Sequence, residues 1–355
     1  MKKLINNAED VTIEQLKGLQ AAHPDLLEVH FDPNFVKAKG APDDNKVAII
    51  SGGGSGHEPL HTGYVGKGML DAACPGQVFT SPTPDQMFEA GKAVAGKKGI
   101  LQIVKNYTGD VLNFQMAADM LRDDGIEVRN VIIDDDVAVK DSTWTAGRRG
   151  LGTTVIAEKV CGAAAAAGYD LDRLVELCKT VNINGKSMGM ALTSCITPQN
   201  GTPTFDLAED EMEIGVGIHG EPGVERMKIK SADEITEILA TQILGDGAYT
   251  RQLSEWDAAK GEWVDVEVVD GTFQKGDQVI AIVNSMGGTP ISELYTVYNK
   301  LHELAEKKGV TIVRKLVGHY ITSIEMQGVS ITLVKTNDEI LKFFDAPVHT
   351  PALRW

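Results

Sequence analysis

The sequence predicts an α/β fold: two packed α/β domains, each a mostly parallel or mixed sheet covered by helices. Three observations carry this. Short apolar runs alternate with helical spacings through the first half, the pattern of a largely parallel sheet. A second alternation begins near Ser187. The length of 355 residues exceeds one ordinary domain and suits two.

In chain order, Val47–Ile50 is the first apolar run and ends in SGGGSGHEP; Ile100–Val104 follows and ends in KNYTGD. Leu112, Met116 and Met120, spaced by four, predict a helix over 111–122. Val128–Ile133 is a β-branched run closed by Asp134, Asp135 and Asp136. Helices are expected over 154–167, whose alanines favour close packing, and over 172–181. The second half opens with SMGMALTSC as a strand. Ser231 and Glu234 form a capping box before Ile235. Val279–Val283 predicts a buried strand; Thr289 then caps a helix that Pro290 starts and Gly309 stops. Strands over 310–317 and 329–335 close the pattern. The domains are placed at 1–185 and 186–355, with no low-complexity linker between them.

Lys+Arg 34 against Asp+Glu 50 gives a net charge of −16, which disfavours nucleic acid and anionic membrane as partners. The start, MKKLINNAEDV, lacks an apolar signal core, and no run approaches a spanning helix. Cys74, Cys161, Cys178 and Cys195 show no paired spacing and read as buried thiols of a cytoplasmic protein. Glycine, 37 residues of 355, is enriched over the usual ~7%.

Ligands of open α/β sheets sit beyond the carboxyl ends of strands. The loop Ser51–His57 lies there, and its glycines let an oxygen-rich ligand approach the backbone; a tightly turning loop is the plainer reading. Lys105, Asn106 and Asp110 share the next strand end and can hold hydroxyls and accept a proton; Asp110 as the cap of helix 111–122 explains that residue equally well. His219 lies in GIHGEP, with Gly217 two residues before it and Gly220 directly after. A neutral imidazole there can act as nucleophile or base, or be a surface turn histidine. GSGHEP at 54–59 and GIHGEP at 217–222 echo one another, as two loops that bring an imidazole to a ligand.

Other signals are weaker. Asp134–Asp136 read as a solvated loop in preference to a Mg²⁺ site. Asn184–Ser187 mimics the end of a P-loop, but Thr180 stands where that motif needs glycine. GGGSG lacks the dinucleotide spacing, which argues against a nicotinamide-dependent oxidoreductase. His61 is a candidate to support the first loop; His23, His30, His302, His319 and His349 read as ordinary residues.

The segments MKKLIN, LLEVHFDP, SGGGSGHEPLHTGYVGKGML, ACPGQVFTSPTPDQ, IVKNYTGDVLNF, VIIDDDVAVKDS, TAGRRGL, EMEIGVGIHGEPG and DAPVHTPALRW together resemble the dihydroxyacetone-binding K subunits of bacterial dihydroxyacetone kinases. The resemblance covers essentially the whole chain. It implies that His219 attacks the substrate carbonyl to form a covalent hemiaminal. It implies that Gly54, Ser55, Gly56, His57, Lys105 and Asp110 hold the substrate hydroxyls, with His57 and Asp110 as acid/base groups. It also implies a phosphotransferase of glycerol metabolism that is a homodimer and binds no metal or nucleotide of its own. An L subunit would carry a nucleotide diphosphate with Mg²⁺, recharged by an M subunit of the sugar phosphotransferase system or by ATP exchange. Lys105, Arg148 and Arg149 are offered as contacts for that partner, with a surface pair flanking a helix as the plainer reading of the two arginines. A sensor or coactivator that binds the ketone without turning it over is the rival within the same resemblance; the presence of both His57 and Asp110 favours the enzyme.

Overall fold

The computed structural model describes residues 2–139 and 147–355. The tail of VIIDDDVAVKDS and the head of TAGRRGL lie outside the described residues. The described residues build two six-stranded sheets and a separate hairpin.

After helix α1 (Val11–Ala22), the hairpin β1 (Leu27–Phe31) and β2 (Asn34–Ala38) forms the edge of the first sheet. β3 (Ala48–Ser55), β4 (Ala72–Val78), helix α2 (Pro84–Val94), β5 (Ile100–Lys105), helix α3 (Thr108–Asp123) and β6 (Val128–Ile133) follow. The order is β1-β2-β4-β3-β5-β6. β4, β3, β5 and β6 run parallel to one another, and β2 meets β4 antiparallel. Helices α4 (Thr153–Ala166) and α5 (Leu171–Ile183) come next. α4 is buried along almost its whole length, and its alanines allow the close packing expected of them.

The second sheet takes β7 (Gly185–Ala191), β8 (Glu211–Ile214) and β9 (Glu225–Lys228). Helix α6 (Ala232–Gly245), with the predicted Ser231–Glu234 capping box, leads to the hairpin β10 (Thr250–Asp257) and β11 (Glu262–Val269). β12 (Gln278–Ser285), α7 (Ile291–Lys308), β13 (Thr311–Gly318), β14 (Gly328–Lys335) and α8 (Asp338–Phe344) complete the chain. The order is β13-β12-β14-β7-β8-β9, and only β12 and β13 are parallel. This sheet is therefore mixed. α7 starts at Ile291, with Pro290 in the cap position, because the Thr289 hydroxyl is committed to the Gly328 carbonyl. It ends at Gly309, whose φ of 80° needs no Cβ to be comfortable.

One apolar core runs between the two halves. It joins Ile49, Leu101 and Ile133 of the first sheet, Val155 and Val160 of α4, Ile280 and Ile282 of β12, and Phe343 of α8. All are buried; each such side chain contributes roughly 1.5–3 kcal/mol by leaving water. The four cysteines are free and buried, as expected.

Two local expectations fail. Leu112 and Met116, which mark α3 in the sequence, are 55% exposed; the helix packs through Phe114, Ala117, Ala118 and Leu121 instead. Asp134–Asp136 are not a solvated loop. Asp134 pairs with Arg251 (2.6 Å) and Asn182 (2.7 Å). Asp135 accepts from the backbone N–H groups of Leu151 (2.6 Å) and Thr153 (2.9 Å) and from the Ser187 hydroxyl. Asp136 pairs with Arg149 (2.6 Å). Buried carboxylates persist because cations and amides satisfy them, and sequence does not reveal partners so distant along the chain.

Candidate active site

The first glycine cluster is strand, not loop, as far as Ser55. Its glycines serve close approach. A Cβ at Gly52 would press on the Cys74 carbonyl, and one at Gly54 would sit 2.6 Å from the Thr80 nitrogen. At Gly53 it would overlap the Lys105 ammonium and lie 3.3 Å from His61 Nε2. The strand is bare where the neighbouring lysine lies across it. Gly56, at φ 102°, turns the chain between the Phe79 ring and Ile324. The Ser55 hydroxyl donates to the Gly76 carbonyl (2.7 Å), and the Gly56 N–H to Glu58 Oε2 (3.0 Å).

His57 follows this turn and is fully buried. Its Nδ1 lies 2.8 Å from the Thr322 carbonyl oxygen. A carbonyl only accepts, so Nδ1 carries the proton and Nε2 keeps a lone pair. Nε2 has no partner. Burial, with His219 and Lys105 nearby, holds the imidazole well below its ordinary pKa.

Lys105 ends β5 and is wholly buried. Its Nζ meets His61 Nε2 at 2.8 Å, the Gly52 carbonyl at 3.3 Å and Asp110 Oδ2 at 3.7 Å. Burial lowers its pKa, while Asp110 and Glu158 oppose the fall. Asp110 does not cap α3. The helix begins one turn earlier, with extended Tyr107 in the cap position. The Asp110 carboxylate turns instead toward Lys105 and Ser81. Burial raises its pKa against the pull of Lys105, and Oδ1 has no hydrogen-bond partner.

His219 comes from the other sheet, in the turn between β8 and β9. Its backbone N–H donates to Glu221 Oε2 (2.8 Å). Glu221 pairs with Arg149 (3.3 Å), and Arg149 with Asp136 at the end of the first sheet. The His219 ring meets His57 edge to face at 4.6 Å, Tyr107 at 4.4 Å and Phe79 at 5.5 Å between centroids. Burial first, then Lys105 and Arg149, push its pKa down to about 3. At neutral pH His219 is an uncharged imidazole with a free electron pair.

The fold thus brings His57, Lys105, Asp110 and His219 to one place from both halves of the chain. Sequence reasoning passed over several residues of this cluster. Tyr107 lies inside KNYTGD, and its hydroxyl is buried without a partner. Phe79 adopts φ 58°, unusual for a bulky residue, and stacks on His57 at 5.2 Å. Ser81 and Thr322 act through contacts that no local pattern announces. Arg148 and Arg149, offered as partner contacts, are each 1% exposed. Arg148 pairs with Asp246 (2.8 Å) and Asp270 (3.2 Å), so both arginines hold the interior together and are withdrawn as docking residues.

The Dak1 domain model matches residues 17–352. The chain belongs to the Dak1 family. It is 53% identical over 355 residues to the PEP-dependent dihydroxyacetone kinase, dihydroxyacetone-binding subunit DhaK, of Escherichia coli (strain K12), covering 100% of this chain and 99% of that one. It is 44% identical to the dihydroxyacetone-binding subunit of PTS-dependent dihydroxyacetone kinase 1 of Listeria innocua, over 96% of this chain and 95% of that one. Among solved structures, the dihydroxyacetone kinase operon co-activator Dha-DhaQ superposes with a TM-score of 0.83 at 30% identity, covering 98% of each chain. This Dak1 chain contains no helix, among the described residues, long and apolar enough to cross a membrane.

Proposed function

We propose that this chain is the dihydroxyacetone-binding subunit of a dihydroxyacetone kinase that draws its phosphoryl group from phosphoenolpyruvate through the phosphotransferase system. The observation that carries the reading is a neutral His219 set against His57, with unpartnered acceptors at His57 Nε2 and Asp110 Oδ1.

A three-carbon ketone has little surface, so contacts alone hold it weakly. The His219 lone pair attacks the carbonyl carbon; a C–N bond forms and the carbonyl π bond opens. The oxygen gains a proton as the ring nitrogen gives one up, leaving a neutral hemiaminal. Glycerol has no carbonyl and is rejected. Gly54, Ser55 and Gly56 line the approach, and Lys105 donates to a substrate oxygen. His57 in its Nδ1–H form accepts a hydrogen bond from a hydroxyl. Asp110 takes the proton of the hydroxyl that attacks phosphorus, a step in which positioning and charge dominate.

In this proposal the nucleotide diphosphate and its Mg²⁺ belong to an L subunit, recharged by an M subunit, and the chain itself is a homodimer of glycerol metabolism. Asp134–Asp136, the acidic run of this chain, are already engaged by arginines, amides and Ser187, so no step is assigned to a metal here. The coactivator reading has its counterpart at 30% identity, against 53% for the kinase subunit. His57 and Asp110 give the chain the proton acceptors that a sensor does not need. The test is the intact mass of the protein with dihydroxyacetone under non-denaturing conditions that preserve the adduct, mapped to a residue. One adduct on His219, absent in His219→Ala, supports the reading; an adduct that persists in His219→Ala refutes it.

A further inference from the structure

Behind Lys105 lies a chain of polar groups that the proposed chemistry does not use. Lys105 Nζ is 2.8 Å from His61 Nε2, and His61 Nδ1 is 2.6 Å from Glu158 Oε1. His61 sits beyond the first glycine cluster and Glu158 in the middle of buried α4. Glu158 is fully buried and His61 almost so. Glu158 Oε2 makes no hydrogen bond, and the nearby Ser51 hydroxyl is another group that favours the Glu158 carboxylate. A carboxyl is costly in such a place unless its proton or its charge has a use.

We propose that Lys105, His61 and Glu158 form a proton relay that lets Lys105 change charge without exchanging a proton with solvent. Two arrangements satisfy both hydrogen bonds. In the first, an ammonium donates to His61 Nε2, and Nδ1–H donates to a Glu158 carboxylate. In the second, one proton has moved from Nζ to Nε2 and another from Nδ1 to Oε1. Lys105 is then an amine accepting from Nε2–H, and Glu158 is an acid donating to Nδ1. The number of protons and the total charge of the three groups are the same in both.

The balance between them is set by what faces the chain. Asp110 from α3 lies 3.7 Å from Nζ and, when ionised, favours the ammonium. The Gly52 carbonyl favours it too. His57 and His219 are neutral neighbours. Tyr64 and Cys161 face Glu158; burial holds the Tyr64 phenol protonated, and the hydrogen bond with Cys178, then burial, hold the Cys161 thiol so. Burial favours the uncharged arrangement, moving Lys105 down and Glu158 up, while Ser51 and the Lys105 ammonium pull Glu158 back toward the carboxylate. Asp110 is therefore the switch. While it is a carboxylate, Lys105 is an ammonium. Once it has taken the hydroxyl proton, the ammonium loses its counter-ion and the relay passes the charge inward to Glu158. His61 and Glu158 are positioning residues that act through Lys105.

This deepens the kinase reading in its catalytic consequence, and it is tested first without any ketone. ¹⁵N NMR of the imidazole in the substrate-free chain reads the His61 tautomer. Nδ1–H is expected with Asp110 ionised, and Nε2–H in Asp110→Asn, which mimics the protonated acid. The same tautomer in both proteins, or an imidazolium, overturns the relay whatever the substrate is. Glu158→Gln keeps the shape but has no acidic proton. It should lower kcat by about 10²-fold, the scale of lost proton-transfer help, with little change in KM. It should also leave the His61 tautomer indifferent to Asp110→Asn. An unchanged kcat and pH profile in a folded Glu158→Gln protein contradicts the relay. A chain that forms no ketone adduct yet shows the tautomer change refutes the function and leaves the relay standing.

Discussion

Gly53→Ala tests how closely the site is fitted, because one methyl group meets both ends of a hydrogen bond. The backbone at Gly53 has no positive φ, so alanine is allowed by conformation. Its Cβ, however, would overlap Lys105 Nζ and stand 3.3 Å from His61 Nε2. The methyl occupies the space in which the ammonium lies. Ordinary carbon–nitrogen contact requires Nζ to retreat by about 1 Å or the strand to shift by as much. The strand has little freedom, since β3 is paired with β4 on one side and β5 on the other.

Nζ therefore moves, and its 2.8 Å bond to His61 breaks. A buried charge-assisted hydrogen bond lost in this way costs about 1.5–3 kcal/mol. A displacement of about 1 Å at a reacting centre costs about 10²-fold in rate. The expected result is a folded protein with a lower Tm and kcat/KM down by about 10²-fold. Thermal unfolding and steady-state kinetics with a charged L partner measure both. Because His219 is untouched, adduct formation should survive in part. Wild-type turnover in Gly53→Ala would refute the claim that Lys105 must lie against the bare strand.

Asp110→Asn keeps the shape and removes the base, so turnover should drop by about 10²-fold or more with a modest loss of ketone affinity; normal turnover at saturating ketone moves the base to His57. His219 has a folded pKa of about 3 and an unfolded value near 6.5, so the unfolded chain binds more protons between them. Its contribution is present above pH 6.5 and is lost as pH falls, by about 1.4 kcal/mol for the first unit. His219→Asn should therefore show a flatter acid limb in urea titrations than wild type, and parallel limbs would contradict the shift. With ATP and Mg²⁺ alone the chain should not phosphorylate dihydroxyacetone, and adding a nucleotide-charged L subunit should restore activity in a coupled assay; robust turnover without the partner overturns the subunit reading.

The strands and helices with clean local signals were legible. Alternating β-branched runs placed β5, β6 and β12 within a residue or two, and the capping box placed α6. β9 and β11 were not, because their polar, largely exposed residues give no buried face to read; β8 is buried but only four residues long, and β10 buries only Arg251 and Leu253. Leu112 and Met116 show the limit of spacing as a guide: a helix can carry its most obvious apolar stripe on the exposed side and pack through alanines. Of the candidate site, His57, Lys105, Asp110 and His219 were named from glycine-rich and strand-end motifs and from the family resemblance, and the fold does bring them together. What motifs could not carry was direction. Asp110 read equally well as a helix cap, and only the earlier start of α3 turns its carboxylate to Lys105. Arginines beside a glycine read as surface, and only long-range pairing with Asp136, Asp246 and Asp270 shows them inside.

Those arginines explain why the site needs both halves of the chain. His219 stands in the loop between β8 and β9, where Gly217 and Gly220 let Glu221, Arg149 and Thr204 pack close against the backbone. Its backbone is fixed through Glu221, then Arg149, then Asp136, the last of these at the carboxyl end of the first sheet. His57 is fixed in the opposite sense: it lies on the first half and gives its Nδ1 proton to Thr322 of the second. Each imidazole is thus oriented by the half that does not supply it. The 4.6 Å between their rings is set by packing across the shared core, not by either loop alone. Close packing at the glycines and fixation of the imidazoles across the two sheets act together for that reason, and a neutral nucleophile is held still between the two halves.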